Sequence, residues 1–532
     1  MAAFAREAKG RLDEIVDIRR PYSFFELRES KFPRLENLGR LLSQVRHHCG
    51  QTMVIEEIES SSANDLQEEN EDLAKYFDIP KIASSTSWRL SFYSKHFKTK
   101  RGLRTAGSDQ FIGYLIIKED VLPKGLSTRV YESVIKNGIH AHNYVRGDLT
   151  WTCRVQGKGC KVKGYLYAQQ NGLTNVCAHV ALRTVGASFH KDGDITYREM
   201  NDLLGIDHKK KKLTNGLTLP QMVKILESVG VTCDHADYSS GSTNAPPVPY
   251  QRFVYGSIES GFPSIIIFHT SGNSMHAVPV FGHTFNQDTW VPSAERGYFQ
   301  IGPGTAYLPS ESWVSSFLMH DDNFGSNFCV PRHYLRPVQP SGKPKAKNVQ
   351  AAGSEWVAHV LSPLPTDIKV SPLEAEVLGL EYLRAILHEL PDDGNRWGDR
   401  LLEYMVKGQC VFRSILCKGS EYAEHLKKLR GWKEGKIDGG TAAAMGKSLS
   451  NQKIWIVEMS VPELFSTNLR KIGEVVIFSE RPIPPGISNF TNFVLARLPG
   501  YFALRQSNKP KSGSFQFFPS GINSHVALYG AE

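Results

Sequence analysis

The distribution of apolar and polar residues divides the chain into regions of different texture. Residues 1–50 are basic and contain a helical pattern with leucines on one face, at positions 35, 38, 41 and 42. Apolar runs at 88–93 and 111–117, punctuated by glycines and charged residues, predict strands. We therefore predict a basic helical segment over 1–50 and an α+β domain over 51–164. Within that domain, the acidic stretch 56–72 is interpreted as a solvated helix or loop.

Three further regions follow along the chain. Residues 165–340 alternate short apolar strands with amphipathic helices, and we assign them to a domain of their own. Residues 341–354 lack apolar periodicity and are rich in Lys, Gly, Ser and Ala, which is typical of a linker. The pattern in 355–532 predicts a second α+β unit, with helices at 372–390 and 396–430, strands at 454–459 and 474–478, and a β-rich end at 490–532. The predicted fold class is therefore α+β.

Composition and charge narrow the classes of protein that fit this pattern. The 532 residues are 41% hydrophobic, which is enough for packed cores, and their net charge of +9 is too diluted to favour a nucleic-acid partner. The longest apolar run, 262–268, is far shorter than the roughly 20 residues of a membrane span, and the first residues carry charges where a signal peptide is apolar. We expect a cytoplasmic protein with no membrane partner, whose eight cysteines are reduced.

One stretch has the residue pattern of a reactive thiol. The polar turn residues 171–175 lead directly into Cys177, and the pattern that follows is apolar and helical. Cys177 would then lie in the first turn of a helix, where free backbone amides and the positive end of the helix dipole favour a thiolate. An amide side chain just upstream, Gln170 or Gln169, could donate a hydrogen bond to a developing oxyanion together with the Cys177 amide.

A base and an orienting group follow about 100 residues later. A buried-strand run at 264–268 and a polar loop precede His276, which opens the next strand and can therefore place its ring beyond the sheet edge. The run 313–325 predicts a strand that ends in Asp321 and Asp322, where a carboxylate could accept the second imidazole N–H.

The order of these features resembles the papain-like cysteine peptidases, in particular the bacteriocin-processing-peptidase-like branch. The resemblance covers roughly 165–330, from the Gln and Cys with its A-x-x-A-L helix, through a second helix at 218–232 and the G-x-P before a strand, to H-A-V and the Asp-terminated strand. It implies a helical lobe bearing the Cys, an antiparallel sheet bearing the His, Cys–His–Asp or Cys–His–Asn catalysis, and no metal. The flanking α+β regions lie outside the resemblance, and we expect no cofactor. The resemblance further implies the roles of Cys177 as nucleophile, His276 as general base, Asp321 as orienter with Asp322, Asn286 and Asp288 as alternatives, and Gln170 as oxyanion donor with Gln169 as the alternative.

The expected function is that of a thiol-dependent hydrolase, a cysteine peptidase that acts on a protein or peptide amide through a Cys–His–Asp triad. An acyl or amide transferase would use the same thiol with an amine in place of water. A non-catalytic protein-interaction module on the same scaffold is the alternative from another class, and the oligomeric state stays open.

Other chemically suggestive residues are interpreted as structural, because none belongs to a complete ligand set at fitting spacing. These are His179 and His283, His140 and His142, the strand–turn–strand pair Cys153 and Cys160, and Cys410 and Cys417, which would share one face of a helix. The lysine clusters at 208–212 and 343–347 are interpreted as solvated loops, since too few aromatic residues accompany them for nucleic-acid stacking.

Overall fold

The computed structural model has mixed α+β architecture with largely antiparallel sheets, which confirms the predicted fold class. The residues that the structure describes are 4–20, 26, 30–35, 37–137, 143–147, 149–210, 213, 216–239, 248–270, 274–285, 307–337, 355–391, 396–428, 449–468, 470–483, 490–505, 515–519 and 525–526. Candidates Asn286 and Asp288, the pair His140 and His142, and the predicted linker 341–354 lie outside them.

The helices of the described residues are mostly short and amphipathic. In chain order they are α1 (Leu38–His47), α2 (Asn64–Phe77), α3 (Lys100–Arg104), α4 (Cys177–Gly186), α5 (Tyr197–Leu203), α6 (Leu219–Ser228), α7 (Tyr250–Ser260), α8 (Pro372–Leu387), α9 (Arg396–Val406), α10 (Gly419–Lys428) and α11 (Pro462–Asn468). Within the described part of the chain, none of them combines the length and the apolar character needed to cross a bilayer.

An antiparallel meander forms the N-terminal sheet, in the order β1-β2-β3-β4-β5. The strands of this part of the chain are β1 (Gly10–Asp17), β2 (Thr52–Ile58), β3 (Ser84–Tyr93), β4 (Phe111–Leu122), β5 (Gly125–Ile135), β6 (Asn143–Val145), β7 (Leu149–Val155) and β8 (Lys158–Gly164). Strands β7 and β8 form the predicted strand–turn–strand, with Cys153 opposite Cys160. The leucine face of α1 packs on one side of the meander, against Ile55, Leu90 and Leu115.

The central sheet carries the His276 strand. Its order is β14-β13-β11-β10-β16-β15, with β6 paired to β11 and β9 paired to β16. The strands from this part of the chain are β9 (Val231–Asp237), β10 (Ser264–His269), β11 (Met275–Phe285), β12 (Leu308–Pro309), β13 (Val314–Asp321), β14 (Gly325–Pro331), β15 (Arg336–Pro337) and β16 (Trp356–Pro365). Helix α4 packs against β10 and β11, so the element that begins at Cys177 lies directly on the sheet.

The C-terminal sheet has the order β12-β17-β18-β20-β21-β22-β23. The strands of this region are β17 (Val411–Lys418), β18 (Lys453–Ser460), β19 (Arg470–Lys471), β20 (Gly473–Phe478), β21 (Phe493–Leu498), β22 (Tyr501–Arg505), β23 (Phe515–Pro519) and β24 (His525–Val526). Helix α7 contacts both β16 and β17 and thereby joins the central and C-terminal sheets. A buried ion pair between Glu259 of α7 and Arg413 of β17, 3.0 Å long, lies at this junction.

The sheets cross the predicted domain boundaries at four places. Residues 143–145, from the predicted domain 51–164, pair with β11 of the central sheet. Residues 10–17, within the segment predicted as helical, form an edge strand. Residues 308–309 pair with the C-terminal sheet, and residues 356–365 complete the central sheet. Strand pairing between distant segments leaves no signature in local periodicity, so these exchanges are not visible in the sequence pattern.

Two local interpretations were wrong. The acidic stretch 56–72 is solvated only in part: Glu59 and Glu71 are exposed, but Glu56, Asp65, Glu69 and Asp72 are buried. Cys410 and Cys417 do not share a helix: Cys417 lies in strand β17 and Cys410 lies just before it. The apolar run that begins at Val411 lies between two helical segments, so the stretch 396–430 has the length of one helix in the sequence. The run itself forms β17, and its side chains are buried on both faces of the sheet.

Candidate active site around Cys177 and His276

The turn before Cys177 is built by one asparagine side chain. The Oδ1 atom of Asn171 accepts the backbone N–H groups of residues 173, 174 and 175, at 2.9, 2.9 and 3.1 Å. Gly172 has a φ of +68°, which a residue without Cβ adopts readily. The chain then enters α4 with Cys177 as its first residue and Val176 as N-cap. Cys177 is half-buried in the first turn of the helix, as the sequence predicted, where backbone amides have no intrahelical partner.

The same turn is anchored to the N-terminal unit through Glu69. Its Oε1 accepts hydrogen bonds from Asn171 Nδ2 at 2.8 Å and from Asn175 Nδ2 at 3.2 Å. Its Oε2 lies 2.9 Å from Lys118 Nζ and 2.6 Å from Arg129 Nη2. Burial opposes the charge of Glu69, but the two cations outweigh it and lower the pKa of Glu69 to about 2. The turn before Cys177 is therefore held by a buried, ionised carboxylate.

Sequence reasoning missed Glu69, although a signal for it is present. Asp65 and Glu69 are four residues apart on α2, next to the buried Leu66 and Leu73, so that they share the inner face of an amphipathic helix. A carboxylate on an inner face predicts a buried cation partner, here Lys118 and Arg129.

His276 lies at the start of β11, where its ring leaves the sheet. It pairs with Phe268, near the end of β10, and the two rings meet edge to face with centroids 5.4 Å apart. The Nε2 atom lies 3.4 Å from Asp321 Oδ1 and 3.4 Å from Asp322 Oδ1. The Cys177 side chain also interacts with the imidazole and favours its charged form.

The electrostatics of this group favour an imidazolium. Burial alone would disfavour the charged ring, but the hydrogen bonds with Asp321 and Cys177 and the charge of Asp322 prevail and raise the pKa of His276 to about 10. The ring is therefore protonated at neutral pH. A cation next to a thiol at a helix N-terminus is the environment in which thiolates are stabilised.

The two carboxylates are held differently. Asp321 ends β13, and its Oδ1 also accepts the backbone N–H groups of Asn323 at 2.8 Å and Phe324 at 3.2 Å. Asp322 is buried and neither of its oxygens accepts a hydrogen bond from a described residue. Burial and the adjacent charge of Asp321 raise the pKa of Asp322 to about 6, although His276 opposes this shift. Asp321 is thus the better-anchored partner of the imidazole.

The two candidate glutamines differ in their contacts. Gln169 Oε1 accepts the Val130 N–H at 2.7 Å, and Gln169 Nε2 donates to the Asp322 carbonyl at 3.4 Å. Its side chain therefore links β5 to the carboxylate segment. Gln170 is half-buried, and the structure records no hydrogen bond between its side chain and another described residue.

A metal ion would compete for the same atoms. Among the described residues, His276, Asp321 and Asp322 form the one group whose possible ligand atoms lie within 4.8 Å of one another. These are the imidazole and the two carboxylates next to it. A metal ion bound there would occupy the atoms through which the carboxylates contact the ring.

His179 supports α4 and does not join the site. Its Nδ1 accepts the Val176 N–H at 3.3 Å, and its Nε2 lies 2.9 Å from Asn201 Oδ1. Burial lowers the pKa of His179 to about 4, so the ring is neutral and can accept the N-cap amide.

No protein-family model, curated protein or solved structure matches this chain. The interpretation of the site therefore depends on the chemistry and geometry of its residues.

Proposed function

We propose that the protein is a thiol-dependent hydrolase, a cysteine peptidase with Cys177 as nucleophile and a papain-like core. The observation that carries the proposal is that His276 lies 3.4 Å from Asp321 on a strand against which the helix beginning at Cys177 packs. The Cys177 side chain also favours the charged form of the imidazole. Thiol, imidazole and carboxylate come from three separate elements, α4, β11 and the end of β13. The packing of the thiol helix on the imidazole strand also supports the papain-like arrangement.

In the proposed reaction, the Cys177 thiolate attacks the carbonyl carbon of an amide while His276 holds the proton. The Cys177 amide and the Gln170 side chain donate hydrogen bonds to the oxyanion. Collapse of the tetrahedral intermediate breaks the C–N bond, and the imidazolium gives its proton to the leaving amine. Water, deprotonated by His276, then hydrolyses the thioester and regenerates the thiol. Asp321 keeps the ring oriented throughout.

The test is cleavage of a complex peptide library, with new termini identified by mass spectrometry. The wild type should generate new termini at recurrent positions, whereas Cys177→Ser and His276→Ala should generate none above a blank. A wild type as inactive as Cys177→Ser across the library would refute the peptidase proposal. An added primary amine that appears on the acyl fragment would identify a transferase.

A further inference from the structure

Helix α1 contacts the hairpin that carries the two carboxylates. Its apolar side chains are buried against the N-terminal sheet, whereas Arg40 and Gln44, four residues apart, face the β13–β14 hairpin. The hairpin belongs to the central sheet, almost 300 residues later in the chain. The first fifty residues therefore contact the hairpin that carries Asp321 and Asp322.

The hairpin contains a β-bulge directly beside Asp321. Met319 pairs with Phe328 and Asp321 pairs with Gly325, so one residue of β13, His320, lies opposite two residues of β14, Ser326 and Asn327. A bulge leaves backbone groups without partners in the ladder. Asn327 also has a φ of +47°, in the left-handed region that costs free energy for a residue with a Cβ.

Side chains of α1 satisfy the carbonyl groups of this bulge. Arg40 donates from Nε to the Ser326 carbonyl at 3.0 Å and from Nη2 to the Asn327 carbonyl at 2.7 Å. Gln44 Nε2 donates to the Ser326 carbonyl at 2.6 Å, and Gln44 Oε1 accepts from Ser326 Oγ at 2.9 Å and Asn327 Nδ2 at 3.3 Å. The guanidinium also lies 5.0 Å from the Phe328 ring centroid.

The bulge determines how the Asp321 side chain is held. Its extra residue belongs to β14, so Asp321 lies opposite Gly325, whereas a regular ladder continued from Met319–Phe328 would place Asp321 opposite Ser326 and lengthen the turn between the strands by one residue. The amides that anchor Asp321 Oδ1, those of Asn323 and Phe324, belong to this turn. Bulges beside active sites commonly aim a side chain in this way. Bonds that hold the bulge therefore hold the Asp321–His276 contact.

Building on the proposed thiol chemistry, we propose that Arg40 and Gln44 are positioning residues of the active site. They maintain the Ser326–Asn327 bulge and thereby keep Asp321 and Asp322 against His276. Neither side chain touches the reacting atoms. The site accordingly requires the N-terminal segment as well as the central region of the chain.

The test compares the rates at which iodoacetamide alkylates Cys177 at pH 6.5 and pH 9.0 in the full-length protein, followed by peptide mapping. An ordinary thiol with a pKa of about 8.5 is roughly 1% thiolate at pH 6.5 and largely thiolate at pH 9.0, whereas an imidazolium-paired thiolate is ionised at both. The variants are Arg40→Ala, Gln44→Ala and their combination. Arg46→Ala, at an exposed position of the same helix, is the matched control.

We expect the double variant to lose about ten-fold in rate at pH 6.5 and less than two-fold at pH 9.0, with each single variant intermediate and Arg46→Ala unchanged. A role in stability alone would lower the melting temperature and leave the ratio of the two rates as in the wild type, and that outcome in the folded double variant would overturn the proposal. If the double variant does not fold, Arg40→Lys decides the question, because lysine keeps the charge but cannot span two carbonyls. A wild-type ratio of the two rates in Arg40→Lys would then overturn the proposal.

Failure of the proposed function gives a different result. In that case the wild-type ratio would already equal that of His276→Ala and of the exposed Cys49, before any change in α1. The positioning role is supported if the ratio of the rate at pH 6.5 to the rate at pH 9.0 is high in the wild type and falls in the Arg40 and Gln44 variants.

Discussion

Replacing Glu69 by Gln removes one negative charge from a buried group of four ionised side chains. Glu69 and Asp120 face Lys118 and Arg129, with all N–O separations between 2.6 and 3.1 Å. In the wild type the four charges cancel. In Glu69→Gln the group carries a net positive charge, and the new amide N–H groups face donors.

The magnitude follows from the burial of the group. Removing one partner of a buried ion pair costs about 3–5 kcal/mol, because the remaining charge has neither water nor a counterion. Asp120 still contacts both cations, at 3.1 and 3.0 Å, so we expect the lower end, about 3 kcal/mol. The change also removes an acceptor from Asn171 and Asn175, which hold the turn before Cys177.

Equilibrium urea unfolding measures this loss, with Glu71→Gln as the matched control. Glu71 lies on the same helix and pairs with Arg198 at 2.9 Å, but its side chain is 49% exposed. Exposed pairs contribute about 0–1 kcal/mol, so the control should unfold near the wild-type midpoint. Equal midpoints for Glu69→Gln and Glu71→Gln would refute the role assigned to the buried group.

Three further outcomes are expected. The pKa of Glu69 is lowered from 4.5 to about 2, so its contribution to stability is complete above pH 4.5 and is lost as the pH falls toward 2. The urea midpoints at pH 5 and pH 3 should therefore differ more in the wild type than in Glu69→Gln, and equal differences would contradict this. Asp321→Asn should slow the alkylation of Cys177 at pH 6.5 by about ten-fold and Asp322→Asn by less, because two backbone amides anchor Asp321; the reverse order would assign the orienting role to Asp322. Burial raises the pKa of Cys153 to about 12, so peptide mapping after alkylation of the folded protein at pH 8 should find this thiol unmodified, and rapid labelling would show that it is accessible.

Local pattern was sufficient for the elements that carry the candidate chemistry. The polar turn and apolar run around Cys177 indicated a helix that begins at the thiol, and α4 begins there. The apolar runs at 264–268 and 313–325 indicated strands, and β10 and β13 occupy them. These features depend on residues close together in sequence, where turn chemistry and periodicity act directly.

Contacts between distant segments were not predictable in the same way. The bulge at Ser326 and Asn327 depends on a register between two strands and on side chains from α1, and no spacing in the sequence records it. The burial of Glu69 depends on Lys118 and Arg129, which arrive on separate strands. The hydrogen bond of Gln169 likewise depends on the Val130 amide, which lies on β5.

The coupling of the Cys177 thiol to the His276 ring is tested most directly by the rate of Cys177 alkylation at pH 6.5 in the wild type and in His276→Ala. Without the imidazolium, an ordinary thiol would be roughly 1% ionised at this pH, so we expect the variant to react about 50-fold more slowly than the wild type. Equal rates in two folded proteins would mean that the imidazole does not ionise the thiol, and the proposed hydrolase mechanism would fail.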